Sequence, residues 1–451
     1  MQSDSQEHST PISIRPEMTR FSGRFRVLLP AIAAGWLTGS RVGLAAETSS
    51  QEIAGTVRSE DGEPIANAWV TDGENYTFTD DQGNFSFGSG KVLPGSSLTV
   101  SGSGYHQERF EAPANGNPVE IVMDDFSVRG IYFNPLISNT PEIIASFIQI
   151  AQTTEVNAVV IDIKEKAVYF DTGNTLFHEA NMVLPILDLP TLLTQFHESD
   201  IYCIARLVVF KDSAIAELHP EYAVRDAYTG GLWRDQNGSA WVNPLHEEMW
   251  EANIALAEEA IRLGFDEVQY DYIRFPTDGD MTRADFGKPV GEDDREAAIE
   301  GFLQRSRDRI ILLGGRQSAD IFGYTTVVDN DLGIGQNLDE LAPSVDYLSP
   351  MIYPSHWPDG SLWGIPGHPN DYPYLTVQIS MSSAVAQLQG NTRKFRPWLQ
   401  DFGLPGMYTY GAPEVAAQIQ ALRDVGINSW LIWSPANYYH ISAFAPDDGG
   451  R

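Results

Sequence analysis

The stretch EVQYDYIRFP, residues 267–276, sets a carboxylate and a guanidinium, Asp271 and Arg274, among apolar and aromatic residues typical of a buried strand. Strands that are apolar throughout are the norm in a parallel sheet covered by helices on both faces. A charged side chain in such a strand loses solvation unless it is paired or lines a cavity. Asp271 is therefore the first candidate catalytic residue.

Strand patterns of this kind alternate with helical patterns on both sides of that stretch, as in repeated βα units. The eight predicted strands are 130–135, 158–165, 201–210, 267–275, 318–323, 347–353, 396–402 and 429–434. The clearest predicted helices are 142–154, 246–263, 293–313 and 413–425. Eight such units predict an α/β fold, a (β/α)8 TIM-type barrel over residues 128–445.

Alternate residues of a barrel strand point to the interior, where polar side chains can be paired, and the others point to the apolar helices. In the second strand, Asp162 and Lys164 are predicted to share the interior face; in the fourth, Gln269 and Asp271 do so. Arg206 of the third strand would also enter the interior and need a carboxylate. Asp162 is the predicted partner.

Charged residues at the carboxyl ends of the strands are the candidate site, because active sites of these barrels lie there. The candidates are Asp162, Lys164, Arg206, Asp271, Arg274, Asp320 and Asp401. The alternative is a buried salt-bridge network without any reaction.

Aromatic residues cluster near the same strand ends, namely Tyr132, Tyr353, His356, Trp357, Trp398, Tyr408, Trp430, Trp433, Tyr438 and Tyr439. Aromatic faces pack on the C–H faces of sugar rings while carboxylates bind hydroxyls, so this combination favours a carbohydrate ligand. Tyr353, His356, Trp398 and Trp433 are the predicted substrate contacts. Trp430 is expected in the core, and many of the other rings could serve only helix packing.

Residues 51–124 show short alternating segments separated by turn signals, which predicts a smaller all-β sandwich. The motifs Gly55-Thr56-Val57, Ala68-Trp69-Val70, Gly83-Asn84-Phe85-Ser86-Phe87 and Leu98-Thr99-Val100 resemble the carboxypeptidase regulatory-like domain. That resemblance implies a non-catalytic sandwich with a spacing or docking role.

Residues 1–26 contain four arginines, and an apolar run over 27–40 and small residues for cleavage follow, so residues 1–46 are predicted to be a signal peptide, with an uncleaved N-terminal anchor as the alternative. The protein is expected to be exported to the periplasm, the cell envelope or the medium. Its single cysteine, Cys203, lies in an apolar strand and is expected in the core.

The charge balance of 29 Lys and Arg against 61 Asp and Glu, a formal charge of -32, argues against nucleic acid and anionic membranes and favours a neutral or cationic partner. Surface solvation explains the same acidity. No Gly-x-Ser-x-Gly elbow, phosphate loop or His-x-x-x-His pair occurs, so neither a cofactor nor a metal is expected. An acidic loop at residues 292–294 could bind a cation, but solvated surface is the simpler interpretation.

Seven motifs in order through the barrel region resemble a glycoside hydrolase family with a TIM-like barrel related to the α-amylase-like superfamily. They are Val128-Arg129-Gly130-Ile131-Tyr132, Val160-Ile161-Asp162-Ile163-Lys164, Arg206-Leu207-Val208-Val209-Phe210-Lys211-Asp212, Gln269-Tyr270-Asp271-Tyr272-Ile273-Arg274-Phe275-Pro276, Ser318-Ala319-Asp320-Ile321-Phe322-Gly323, Ser349-Pro350-Met351-Ile352-Tyr353-Pro354-Ser355-His356 and Arg396-Pro397-Trp398-Leu399-Gln400-Asp401-Phe402.

The resemblance implies hydrolysis of an extracellular or cell-envelope polysaccharide, with Asp271 as nucleophile or stabiliser and Asp320 as acid. Related barrels usually have Glu at the acid position, so Asp401 and Asp329 are the substitutes. Two alternatives stay open: an envelope protein that binds carbohydrate without turnover, and a purely structural envelope module.

Overall fold

The computed structural model describes residues 52–114 and 117–446, so the predicted leader at residues 1–46 lies outside the described residues. Within those two ranges, every helix is too short or too polar to cross a lipid bilayer.

The first part of the described chain is a sandwich of two small sheets. Its strands are β1 (Ile53–Ser59), β2 (Trp69–Thr71), β3 (Tyr76–Phe78), β4 (Asn84–Phe87), β5 (Ser97–Ser101), β6 (Glu108–Glu111) and β7 (Val119–Met123). One sheet has the order β4-β1-β7 and the other β3-β2-β5-β6. Alternating residues of both sheets, such as Val57, Phe85 and Val100, share one buried core. This agrees with the predicted smaller all-β sandwich.

A barrel follows the sandwich. The next strands are β8 (Arg129–Phe133), β9 (Ala158–Lys164), β10 (Tyr202–Val208), β11 (Arg225–Asp226), β12 (Glu267–Asp271), β13 (Ala284–Asp285), β14 (Arg316–Phe322), β15 (Tyr347–Ile352), β16 (Trp398–Gln400) and β17 (Trp430–Trp433). Eight of them close a parallel barrel in the order β10-β12-β14-β15-β16-β17-β8-β9, while β11 and β13 form a short antiparallel ribbon. The predicted (β/α)8 barrel is therefore confirmed, and each of its eight predicted strands overlaps an observed one.

Helices cover the outside of the barrel. They are α1 (Pro135–Ser138), α2 (Pro141–Thr153), α3 (Thr175–Glu179), α4 (Leu189–His197), α5 (Ser213–Leu218), α6 (Glu247–Leu263), α7 (Glu292–Leu312), α8 (Leu338–Leu341), α9 (Pro373–Gln387) and α10 (Ala412–Val425). Helix α2 begins where Thr140 caps the Ile143 amide and Pro141 presets the first turn. Helix α6 ends at Gly264, whose φ of 115° suits glycine.

Burial follows the predicted alternation along the strands. Ile161 and Ile163 of β9 belong to the cluster between barrel and helices, whereas Val160 belongs to the cluster inside the barrel. Cys203 and Trp430 lie in the outer cluster, as expected for core residues. Lys164 departs from the pattern, because a bulge between β9 and β10 shifts the register so that Lys164 pairs with Leu207.

Polar pairs fill the barrel interior in layers. At the amino-terminal end, the Arg396 guanidinium contacts the Glu267 carboxylate at 2.8 Å, and both side chains are fully buried. In the middle, Gln269 donates to the Ser349 hydroxyl at 3.1 Å. The third layer, around Arg206, lies at the carboxyl ends of the strands. The interior is thus a packed core of paired polar groups.

The sandwich covers the amino-terminal end of the barrel. Trp69 of β2 is fully buried and donates its indole N–H to Asp346, the residue before β15, at 3.1 Å. Arg316, the first residue of β14, donates to the Ser101 hydroxyl and the Tyr105 carbonyl at 2.7 and 2.6 Å. The sandwich is therefore attached opposite the end where active sites of such barrels lie.

Candidate active site

A cavity of about 480 Å³ opens at the carboxyl ends of the strands. Its lining consists of Arg206, Asp271, Tyr272, Arg274, Asp278, Asp320, Phe322, Gly323, Tyr324, Met351, Tyr353, His356, Trp357, Trp398 and Trp433. Eight of the residues predicted as catalytic or substrate-binding are among them: Asp271, Asp320, Arg206, Arg274, Tyr353, His356, Trp398 and Trp433. The volume lies within the range usual for small-ligand sites.

One guanidinium binds three carboxylates at the base of this cavity. Arg206 contacts Asp162 through Nη1 at 2.5 Å, Asp271 through Nη2, and Asp320 through Nε at 3.5 Å. The Asp162 contact is the one that strand alternation predicted. Burial opposes the charge of Arg206, but the three carboxylates outweigh it and raise the pKa of the guanidinium. One cation therefore compensates three acidic groups only in part.

Asp320 is a carboxyl group whose pKa this environment raises, as it also does for Asp162. Burial raises the pKa of Asp320 well above its ordinary value, and the charge of Asp271 adds to the effect. Arg206 and the indole N–H of Trp398, 2.7 Å from Asp320 Oδ1, act in the opposite direction. The net effect favours the protonated form of Asp320, as a general acid requires.

Asp271 is held in place by the backbone that follows it. Its Oδ1 accepts the Tyr272 amide at 2.6 Å, while its Oδ2 faces Arg206. Tyr272 has a φ of 52°, in the left-handed region that tyrosine seldom adopts. Such strain persists where the surrounding structure imposes it, and it is common at functional sites.

Aromatic rings contact Asp162 and Arg206 at the base of the cavity. The Tyr132 hydroxyl donates to Asp162 at 2.5 Å, and its ring stacks on Trp433 at 4.0 Å. Trp433 in turn lies 5.0 Å from the Arg206 guanidinium. This stack fixes the orientation of Arg206 and leaves the opposite side of the carboxylates open to the cavity.

Tyr353 and His356 lie side by side on the cavity wall, with ring centroids 5.5 Å apart. Burial raises the pKa of Tyr353, and the charges of Asp320 and Asp271 raise it further, so the hydroxyl remains a donor. Burial lowers the pKa of His356, so its ring is neutral near neutral pH. Both side chains can therefore bind an uncharged hydroxyl-rich ligand.

Arg274 lies on another wall of the cavity between aromatic rings. Its guanidinium is 4.4 Å from the Phe322 ring and 4.9 Å from the Trp241 ring, and it contacts Asp278 at 3.2 Å. The rings restrict its motion, so one charged edge is presented in a fixed orientation.

Three predicted site residues lie outside the lining. Asp162 is behind Arg206, whereas Lys164 is fully buried against Asp212 at 2.8 Å. The bulge in β9 explains why Lys164 does not line the cavity, and its role as a substrate contact stays a prediction. Asp401 is bound by His440, whose backbone N and Nδ1 lie 2.9 and 2.6 Å away. Asp329, the other substitute for the acid, is exposed in the loop after β14.

Several residues that line the cavity were not predicted as site residues from the sequence. They are Tyr272, Asp278, Phe322, Gly323, Tyr324 and Met351. The one signal available was position, since Phe322 and Gly323 end a predicted strand. Gly323 is required sterically, because a Cβ there would lie 2.5 Å from the Met351 carbonyl oxygen.

Two features elsewhere bear on metal binding. His197, Cys203 and Asp266 bring three ligand atoms within 4.8 Å, at the amino-terminal ends of β10 and β12. Their polar atoms are already engaged, since Asp266 accepts from the Cys203 amide at 2.8 Å and binds His197 at 3.0 Å. The acidic residues 292–294 form the first turn of α7, where negative charge is favourable without a cation.

A TIM-type barrel with a sandwich on its amino-terminal end and a carboxylate-lined, aromatic cavity at the other end belongs to a class that includes many carbohydrate-active enzymes. The family described as "Putative glycosyl hydrolase domain" matches residues 130–439. The chain belongs to this family.

A solved structure with a TM-score above 0.5 gives the same fold. The glycoside hydrolase domain of PgaB (BpsB) from Bordetella bronchiseptica is 14% identical, with 71% of this chain and 98% of that chain covered at a TM-score of 0.53. A hypothetical protein from Ruminiclostridium thermocellum is 31% identical over 42% of this chain and 96% of its own, at a TM-score of 0.38. No curated protein sequence matches the chain significantly.

Proposed function

We propose that the protein is a glycoside hydrolase that cleaves O-glycosidic bonds of an extracellular or cell-envelope polysaccharide. The observation that carries this proposal is the pair of carboxyl groups, Asp271 and Asp320, that share Arg206 at the cavity base. Glycoside hydrolysis needs one carboxyl group that is protonated and one that is charged.

The two roles follow from the surroundings of each group. Asp320 is the general acid, because burial and the neighbouring charge raise its pKa and keep its proton available for the leaving oxygen. Asp271 is the nucleophile, because Arg206 and the Tyr272 amide bind its two oxygens and hold the carboxyl group in a fixed orientation. The proton of Asp320 passes to the glycosidic oxygen as the C–O bond breaks and Asp271 attacks or stabilises the anomeric carbon. A water that gives a proton to the Asp320 carboxylate then adds its hydroxyl group to the anomeric carbon and frees Asp271.

The shared guanidinium also bears on stereochemistry. Nε and Nη2 are adjacent donors, so the two carboxyl groups that they bind lie close together. In retaining enzymes the two carboxyl groups lie about 5 Å apart, without room for a water between them, and the shared guanidinium favours this arrangement here.

The substrate is proposed to be neutral or cationic. The cavity combines Trp and Tyr rings with carboxylates, and the chain carries a formal charge of -32. Tyr353, His356, Arg274, Trp398 and Trp433 are the proposed substrate contacts. The proposed location is the periplasm, the cell envelope or the medium, reached through the leader at residues 1–46.

The domain division is proposed on the same basis. Residues 51–124 form the sandwich resembling carboxypeptidase regulatory-like domains, and residues 128–445 form the catalytic barrel, in line with a relation to α-amylase-like barrels. Because the sandwich is attached to the amino-terminal end of the barrel, its proposed role is to support the barrel rather than to bind substrate.

The test is a screen of exopolysaccharides and cell-wall glycans for new reducing ends, comparing wild type with Asp271→Asn and Asp320→Asn. Both variants should lose activity by about 100-fold or more while retaining their circular dichroism spectra. Full activity in Asp320→Asn together with its loss in Asp401→Asn or Asp329→Asn would reassign the acid. Glycan binding without hydrolysis by the wild type would instead identify a carbohydrate-binding protein.

A further inference from the structure

Large apolar side chains that are exposed on the barrel lie in the connections that follow its strands. They are Leu136, Ile137, Leu184, Leu218, Tyr228, Met281, Trp363, Tyr408, Tyr438 and Ile441. Each belongs to a connection that begins at the carboxyl end of a barrel strand, the end where the cavity opens. Apolar surface concentrated on one face marks a place where another molecule binds.

Three of these residues are aromatic and come from consecutive strands. Trp363, Tyr408 and Tyr438 follow β15, β16 and β17, which are neighbours in the barrel. We call these three residues the aromatic arc. Their exposed fractions are 95%, 56% and 67%. Tyr228, the other exposed aromatic residue of the barrel among the described residues, follows β10, which lies opposite β16 in the ring.

The Trp363 loop is built to present its ring. Leu362 and Ile365 on either side are buried, so the loop is anchored while Trp363 points away from the core. The loop is also joined to the cavity wall, because the Tyr324 hydroxyl donates to the Ser361 carbonyl at 3.4 Å. Tyr324 stacks on Trp357 at 4.8 Å, and both rings line the cavity.

The other two arc residues are joined to the same region by hydrogen bonds. The Ser434 hydroxyl, next to the lining residue Trp433, donates to the Tyr438 carbonyl at 2.8 Å. Asn370, which belongs to the connection after β15, donates to the Tyr408 carbonyl at 2.9 Å. The loops that carry the arc are therefore joined to one another and to residues of the cavity wall.

We propose that the aromatic arc binds sugar units of a polysaccharide outside the cavity, so that the enzyme takes long chains and cleaves them internally. This inference rests on the proposed function. A chain that occupies a cavity of about 480 Å³ with a few units must leave it through the mouth. The exposed rings offer flat faces for the C–H faces of its next sugars. The three acids around Arg206 at the cavity base favour a neutral or cationic chain over an anionic one.

The experiment measures binding without turnover. Native gels that contain hydroxyethyl cellulose, glycol chitosan or alginate compare four proteins. These are wild type, Asp271→Asn, and Asp271→Asn combined with Trp363→Ala or with Tyr438→Ala. The control combines Asp271→Asn with Tyr228→Ala, which removes an equally exposed ring from the opposite side of the mouth. The arc variants should bind the neutral or cationic polymer roughly three- to tenfold more weakly, as expected for loss of one ring contact. The control should bind as Asp271→Asn does.

The same preparations separate the two proposals. If wild type hydrolyses a polymer but both arc variants bind it as tightly as Asp271→Asn does, the proposed role of the aromatic arc is wrong and the proposed glycoside hydrolase activity stands. Absence of both hydrolysis and retardation with all three polymers and with the screened glycans overturns both. Release of only end-group sugars from a hydrolysed polymer overturns internal cleavage.

Discussion

The indole Nε1 of Trp398 lies 2.7 Å from Oδ1 of Asp320, and both side chains are almost fully buried. This bond favours the charged form of Asp320 and holds down a pKa that burial raises. Trp398 thus lines the cavity and also lowers the pKa of the proposed acid, Asp320.

Replacing Trp398 with Phe should move the alkaline limb of the pH–rate profile to higher pH. Loss of the donated N–H raises the pKa of Asp320 further, so the acid stays protonated longer as pH rises. The measurement is kcat/KM against pH. Trp433→Phe is the matched control, since that indole also lines the cavity but stacks on Tyr132. An equal shift in both variants would contradict the specific role of Trp398.

Removing the charge of Asp271 should lower the pKa of Asp320. In Asp271→Asn the repulsion between the two carboxyl groups disappears, and Arg206 then contacts one anion fewer. Carbon-13 NMR of labelled aspartate would follow the titration of Asp320 in an inactive but folded protein, with Asp320→Asn identifying the signal. An unchanged or higher pKa would show that the two groups are not coupled.

Arg206→Met should destabilise the protein by about 3 to 5 kcal/mol at neutral pH, because it leaves three buried carboxylates without their cation. The loss should shrink as pH falls, since protonation neutralises those groups. Urea unfolding at several pH values measures it. Arg262→Met, which removes an exposed ion pair with Glu258, should cost less than about 1 kcal/mol. Equal losses of stability in the two variants would mean that the buried ion pairs of Arg206 stabilise the protein no more than an exposed ion pair does.

Asp346→Ala should weaken the attachment of the sandwich. Asp346 accepts the Trp69 indole at 3.1 Å and the Gln317 amide at 2.8 Å, and the variant leaves both buried donors unpaired. We expect a loss of about 2 to 4 kcal/mol in the free energy of unfolding. Asp308→Ala, which removes the partly buried acceptor of Tyr76, should cost about 1 kcal/mol. Calorimetry should show one transition for wild type; two separate transitions would mean that sandwich and barrel unfold independently.

Hydrolysis should proceed with retention of the anomeric configuration. Proton NMR of the first product formed from a defined oligosaccharide distinguishes the outcomes before mutarotation mixes them. Inversion would require space for a water between the carboxyl groups, a separation of about 6.5 to 9.5 Å. That result would place Asp271 as the base and reject the covalent intermediate.

Much of the barrel was predictable because its strands carry charges on one face. Asp162, Arg206 and Asp271 were predicted to enter the interior from alternation alone, and the structure places all three in contact. The predicted catalytic roles of Asp271 and Asp320 remain proposals.

What could not be predicted depends on local irregularity and on loops. A single bulge turns Lys164 away, although its spacing from Asp162 is the same as in a regular strand. Asp401 ends a predicted strand just as Asp271 does, yet His440, far along the chain, engages it. Trp363 lies in a loop whose sequence has no helical or strand periodicity. Its exposure could not be predicted, because it depends on the burial of Leu362 and Ile365 in the folded protein.

The left-handed backbone at Tyr272 has a consequence for anyone who wishes to alter this protein by random mutagenesis. A β-branched residue such as valine or isoleucine would resist that φ of 52° and pull the neighbouring amide away from Asp271. Glycine or asparagine would accept the turn and keep the amide in place. Variants at residue 272 should therefore be grouped first by whether the new residue tolerates a positive φ and only then by its side-chain chemistry. Variants that stay active would show how far the main chain alone positions Asp271.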